Sequence, residues 1–324
     1  MLQSILCVNF GGKMVIKRFS TFFIATVCTL FLAGCVKKQT VTIKENTRSN
    51  VNKQKTDKAP IVTVWVHGTR LLVNKLANKL TPQELFYSPP GMIPIKDVPA
   101  HYHMYHMAEG LSQKDPQRFQ MDNFYLFGWN GKLSFKERKL AAQHLYNELV
   151  NLTKEYQKQY NVTPTFRIIT HSHGGNVALN LAKVKKDDVP FEISELILLA
   201  CPVQEKTKNF VADPLFKRVY SLFSRGELLQ VMDPQGIYKG HSLLPLFSQR
   251  TFPNNPKLSQ AKIRMYGRSI LHIEFLLGHF VLRLPEILDA LDKHSKNDDY
   301  VIIDLKKKRT QKHQSKEAKK IVLI

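Results

Sequence analysis

A serine sits between two histidines and two glycines in the run Thr170-His171-Ser172-His173-Gly174-Gly175. The residues before it, Phe166 to Thr170, are apolar and β-branched and read as a buried strand, and those after it, Asn176 to Val184, read as a helix. A very tight strand-to-helix turn strains the serine backbone and projects its hydroxyl out of the sheet. Small residues close to the serine let the chain pass itself there; Gly174 and Gly175 meet that demand, and Thr170 meets it less well. The chemistry such a hydroxyl does is acyl transfer. It is a poor nucleophile at neutral pH, so a histidine must take its proton and return it to the leaving group, with a carboxylate holding the imidazole. That chemistry needs no metal and no cofactor. The other cluster of reactive side chains is His101-x-His103-x-x-His106. Its spacing does not bring all three imidazoles to one helical face, and no acidic or Cys ligand is adjacent, so it reads as part of an aromatic-rich segment and no metal is expected.

The elements that must hold this turn are legible. Ile61 to Val66 is a continuous apolar run ending at His67-Gly68, and further strands are expected at Phe124 to Phe127, Leu196 to Ala200, Val219 to Phe223 and Ile263 to Tyr266, with a short one from Tyr300 to Leu305. Between them, Phe135 to Tyr160 places Leu140, Ala141, Leu145, Leu149 and Leu152 on one helical face. Pro285 to Leu291 begins a helix with proline in the first turn, where its missing N–H costs little. Continuous apolar strands alternating with amphipathic helices predict an α/β fold with a mostly parallel sheet flanked by helices. Residues 71–123 do not fit the alternation. They follow the first core strand and carry Pro89-Pro90, Met92, Pro94 and the His, Met and Tyr cluster, so they are expected to form a lid or cap insertion.

Ser172 in this setting resembles the G-x-S-x-G nucleophile elbow of α/β-hydrolases, with Thr170 in place of the first glycine. The stretch Gly128-Trp129-Asn130-Gly131-Lys132-Leu133-Ser134, with Arg138 and Ala141-Ala142, resembles the segment before a His-Ser-His-Gly-Gly elbow in a set of bacterial lipase-like members of that fold. The resemblance covers about Ile61 to Leu291. It implies that His67-Gly68-Thr69 carries the oxyanion loop, with the backbone N–H of Thr69 (or Arg70) and that of His173 as donors and His67 in a structural role. It also implies the order Ser, acid, His. The acid is then Glu227, four residues past the Val219–Phe223 strand, with Asp233 before Pro234 as the alternative. The base is His272, with His279, six residues before Pro285, as the alternative. The implied activity is that of a serine esterase or lipase acting on carboxylic esters, with acyl lipids favoured because of the apolar insertion and the N-terminus.

That N-terminus reads as an export address. Lys17 and Arg18 precede an apolar run of 11 residues, Phe22 to Leu32. A helix needs roughly 20 to span a bilayer. Leu32-Ala33-Gly34-Cys35 resembles a bacterial lipobox, which implies a signal peptide over 1–34, a lipid anchor on Cys35 and, with no Asp after it, the outer membrane in a Gram-negative cell. Residues 35–60 read as a polar tether, with one short strand possible at Thr40 to Ile43, 61–304 as the hydrolase domain and 305–324 as a basic tail. Cys7 and Cys28 fall in the signal and Cys35 is acylated on this reading, so Cys201 stays alone and no intramolecular disulfide forms. A monomer is expected.

Length and charge fit this organisation. The 324 residues are 43% hydrophobic, which excludes a wholly disordered chain and a polytopic membrane protein. Against 26 Asp and Glu stand 48 Lys and Arg, a formal charge of +22. Residues 1–34 hold +3 of it, 35–60 hold +5 and 305–324 hold +7, leaving +7 for the hydrolase domain. The excess sits in the flanks, where it suits an anionic membrane surface better than a nucleic-acid site, and no nucleic acid is expected as a partner. The competing function is a surface lipoprotein that keeps the fold as an inactive binding module.

Overall fold

The computed structural model describes residues 59–69, 88–226, 250–293 and 299–306, with three short strands at 9–10, 13–14 and 321–323. The chain divides into two units, Met1–Thr56 and Asp57–Ile324. In the first, β1 (Asn9–Phe10) pairs antiparallel with β2 (Lys13–Met14). Cys35, the tether strand expected at Thr40 to Ile43 and most of the expected signal peptide lie outside the described residues.

The second unit is built on one sheet. Its strands are β3 (Ile61–Val66), β4 (Gly91–Pro94), β5 (Phe124–Gly128), β6 (Thr165–His171), β7 (Glu192–Leu199), β8 (Val219–Phe223), β9 (Leu258–Met265), β10 (Arg268–Ser269), β11 (Val301–Leu305) and β12 (Ile321–Leu323). Across the sheet the order is β12-β11-β9-β8-β7-β6-β3-β5-β4, with β10 folded back on β9. Only β4 and β10 run antiparallel to their neighbours; the other pairs are parallel. Parallel strands must be covered on both faces, and the residues alternate accordingly. Val62, Val64, Val66, Ile168, Leu196 and Leu198 face one apolar cluster. Trp65, Ile169, Ile197 and Leu199 face the other. Each fully buried side chain of this size is worth roughly 1.5–3 kcal/mol.

Helices complete the layers. On the first face lie α2 (Phe135–Tyr160), α3 (His173–Leu179) and α4 (Leu181–Val184). Helix α2 starts where Ser134 Oγ accepts the Glu137 N–H at 3.4 Å and ends at Asn161, whose φ of 57° takes the left-handed conformation that closes a helix. On the second face lie α1 (His103–Lys114), α5 (Gly278–Val281) and α6 (Leu284–Lys293). Among the described residues no helix is long and apolar enough to cross a membrane.

Of the insertion expected as a lid or cap, residues 71–87 lie outside the described residues, and 88–123 pack one face on the sheet while most of their residues stay partly or fully exposed. They supply the antiparallel edge strand β4 and helix α1, and Ile95, Val98, Met104, Met107, Ala108, Leu111 and Phe119 are buried in the second cluster. Met104, Met107, Ala108 and Leu111 recur at i, i+3, i+4 and i+7, the spacing of a helix packing one face on a sheet. The described part of the insertion packs on the sheet, and His103 in it meets Leu276 O of the His272 turn.

Register brings the chemistry together. Val66 pairs with Thr170, so His67-Gly68 and His171-Ser172 leave the sheet side by side. His171 pairs with Leu199, Leu199 with Leu222, and Phe223 with Lys262, so the loops after β7, β8 and β9 emerge at the same end.

Candidate active site

Ser172 stands at φ 53°, ψ −133° between β6 and α3. A non-glycine residue there costs on the order of 1–3 kcal/mol and persists only where its surroundings impose it. They do so here. The Ser172 N–H donates to Leu199 O at 2.9 Å, and Ser172 O accepts the Gly175 N–H at 3.0 Å. The turn also presses on β3: a Cβ on Gly174 would stand 2.5 Å from His67 O and 2.6 Å from Val66 O. Ser172 itself is 8% exposed.

The His67-Gly68-Thr69 segment runs directly against this turn. A Cβ on Gly68 would sit 2.8 Å from Ser172 Cβ. His67 faces away from the serine and is clasped by Trp129. Its Nδ1 meets Gly68 O at 2.7 Å, its Nε2 meets Trp129 N at 3.1 Å, and the Trp129 Nε1–H donates to His67 O at 2.8 Å. Nε2 lies 3.1 Å from Trp129 O as well, so the ring is held between Gly68 O and the Trp129 backbone. The two rings stack at 5.8 Å. In a trans peptide the N–H points opposite to the C=O, so holding Gly68 O on the His67 ring turns the Thr69 N–H away from that ring. Thr69 Oγ1 is buried with no hydrogen-bond partner among the described residues.

His272 opens the 3₁₀ turn His272–Leu276 after the β9–β10 hairpin. Its ring lies 4.6 Å from that of His171, tilted by 50°, and His173 is near enough to act on its charge. Thus the residue before Ser172 packs on His272. Burial, then the electrostatic effect of His173 and Arg250, push the His272 imidazole down to about 3, so it is neutral throughout the physiological range. His279 is placed otherwise. It is 43% exposed and its Nε2 lies 3.6 Å from Glu274 Oε1, turned to a structural carboxylate. That carboxylate also takes two bonds from Arg268, at 2.6 and 2.9 Å, and one from the Leu271 N–H at 2.7 Å. Burial pushes the Glu274 carboxyl up, but Arg268, the Leu271 N–H and His279 outweigh it and hold it below the ordinary range.

Glu227 and Asp233 lie outside the described residues. The described chain stops just before them at Gly226, where a Cβ would sit 2.5 Å from Ile270 O, two residues ahead of His272. The three histidines of the insertion go to different neighbours. His103 Nε2 donates to Leu276 O at 2.7 Å, His106 Nδ1 lies 3.9 Å from Glu109, and the His101 ring tilts on Tyr102. Among the described residues no group of three His, Cys, Asp or Glu side chains could hold a metal ion. His171, which the sequence reading left without a role, is the residue it missed. Its only sequence signal is its place immediately before the serine.

The low value at His272 sets a pH dependence. An ordinary imidazole charges near 6.5. For an ester turnover that uses His272 as its base, the acid limb of kcat/KM is expected well below that, with rates within about twofold between pH 5 and 8. A rate profile on a soluble ester checks this; a limb centred near 6.5 contradicts it. Stability runs the same way. The unfolded chain binds a proton at His272 that the folded chain refuses, so stability is full above about 6.5 and falls as pH drops toward 3, by about 1.4 kcal/mol per unit at most.

No family model and no curated protein matches the chain. Among solved structures, it is similar to a protein from Agrobacterium vitis S4 assigned as a hydrolase, at 12% identity over 72% of this chain and 90% of that one, with a TM-score of 0.36. It is also similar to an esterase from Pyrobaculum calidifontis, at 11% identity over 77% and 68% with a TM-score of 0.30, and to carboxyl esterase 2 from Tuber melanosporum, at 10% over 78% and 69% with 0.34. With a mostly parallel sheet covered on both faces, and a strained serine at the turn from a central strand into a helix, the architecture is an α/β-hydrolase fold.

Proposed function

We propose that this chain is a serine hydrolase that cleaves carboxylic esters through an acyl-enzyme, held to a bacterial membrane by a lipid on Cys35 and acting on acyl lipids there. One observation carries the chemistry: the strained backbone of Ser172, held by β3 and β7 and preceded by His171, whose ring packs on that of His272. In this reading His272 takes the Ser172 proton as Oγ attacks the ester carbon. The carbonyl oxygen becomes an oxyanion facing the N–H groups of Thr69 and His173, and the unspent Thr69 hydroxyl beside them favours a negative charge in that place. Collapse expels the alcohol, which takes the proton back from His272. Water, deprotonated by the same ring, then releases the acid and regenerates Ser172. Glu227 (or Asp233) orients the imidazole. With the described part of the insertion packed on the sheet, the lipid preference rests on the Leu32-Ala33-Gly34-Cys35 anchor sequence.

A fluorophosphonate probe on cells making the protein tests both parts. The wild type is expected to label in the membrane fraction, Cys35→Ala to label in the soluble fraction, and Ser172→Ala not to label. Absence of labelling in the wild type, or labelling that survives Ser172→Ala, overturns the enzyme. A Cys35→Ala protein that stays in the membrane overturns the anchor.

A further inference from the structure

The reaction above uses the His272 ring and the His173 N–H and leaves the His171 ring idle. That ring is enclosed, with the residue 6% exposed, and it stands between the two loops the reaction needs. On one side its Nδ1 would lie 3.2 Å from a Cβ on Gly68. On the other its Nε2 meets the His272 carbonyl oxygen at 3.1 Å across 101 residues of chain. A carbonyl only accepts, so Nε2 carries the hydrogen.

We propose that His171 is a positioning residue: its Nε2–H fixes the backbone of His272, and through it the imidazole, against the turn that carries Ser172. The inference rests on the serine-hydrolase reading. Other contacts of the His272–Leu276 turn lead to other elements. Arg268 and the Leu271 N–H fix Glu274 to the β9–β10 side, and His103 fixes Leu276 O to α1. His171 ties the turn to β6, one residue from the nucleophile, so serine and base share one rigid strand end. Burial, with the His272 ring beside it, holds the His171 imidazole well below its ordinary range against the opposing pull of the His272 carbonyl. A neutral ring does not repel the positive charge that His272 takes up during attack. Displacing a reacting group by about 1 Å can cost a hundredfold in rate, which sets the size of the effect.

The experiment is hydrolysis of p-nitrophenyl butyrate by the purified mature protein and its variants. His171→Ala and His171→Asn, whose amide reaches no further than Nδ1, are expected to lower kcat about 100-fold with KM within about twofold. His171→Gln, whose amide nitrogen reaches the place of Nε2, is expected to recover kcat to within about fivefold. A merely structural histidine predicts instead that Gln fails as badly as Asn and that the losses follow the melting temperature, and this outcome overturns the proposal. So does an alanine variant within about threefold of wild type. If His171→Ala does not fold, the Gln and Asn variants carry the comparison. A wild type that neither turns over the ester nor takes up a fluorophosphonate overturns the serine-hydrolase reading itself; an active wild type indifferent to His171 overturns this inference alone.

Discussion

Replacing His272 with alanine is expected to lower kcat for a soluble ester by about 10⁴- to 10⁶-fold, whereas His279→Ala stays within about threefold of wild type. The two histidines lie seven residues apart in one segment, and geometry separates them. His272 packs on His171, the residue before Ser172, and His173, the residue after it, acts on its charge. His279 is turned out to the Glu274 carboxylate at 43% exposure. Without a base the serine hydroxyl must attack carrying its proton, and removal of one triad member forfeits nearly all that the triad supplies. Initial rates with saturating substrate check this. The reverse order of effects would place the base in α5 and remove the role assigned to His171.

Gly174→Ala is expected to destabilise the fold by about 4 kcal/mol or more, or to keep the protein from accumulating as a soluble species. The added methyl would lie 2.5 Å from His67 O, 2.6 Å from Val66 O and 3.0 Å from His67 C, all backbone atoms at the end of a central strand. A flexible side chain could swing aside; these atoms cannot move without parting β3 from β6 or opening the elbow. Urea denaturation of the purified variant is the measurement, and a midpoint equal to the wild type's contradicts the close approach.

The fold was legible where local and global demands agree. Helix α2 was read over 135–160 from one apolar face, and it occupies that span, with Ala141, Leu145, Leu149 and Leu152 buried and Leu140 left 46% exposed. The elbow was legible because a β-branched strand, a serine and two glycines in order have few other uses. Helix α1 was missed for the opposite reason. Its stripe of Met104, Met107, Ala108 and Leu111 is regular, but His101, His103, His106 and the tyrosines between them look like a functional loop, and the prolines before them look like irregular chain. The base could not be chosen from spacing, because His272 and His279 both follow the last core strand closely. Their difference is a contact across the sheet end, which a linear pattern does not contain. The same holds for His171: nothing in the order of residues says that its ring reaches a carbonyl 101 positions away.

The positive φ of Ser172 also bears on how the chain reaches its native state. Besides the turn bond from the Gly175 N–H to Ser172 O, what holds that conformation is distant in sequence. It is imposed by Leu199, 27 residues on, and by the end of β3, more than a hundred residues back. Contacts of such separation form late, once loop closure has already cost its entropy. The serine turn is therefore assembled near the end of folding and is among the first features released when the sheet loosens. Its geometry depends on β3, β6 and β7 together, and a warmed or mildly denatured sample is expected to lose the serine turn before it loses its helices.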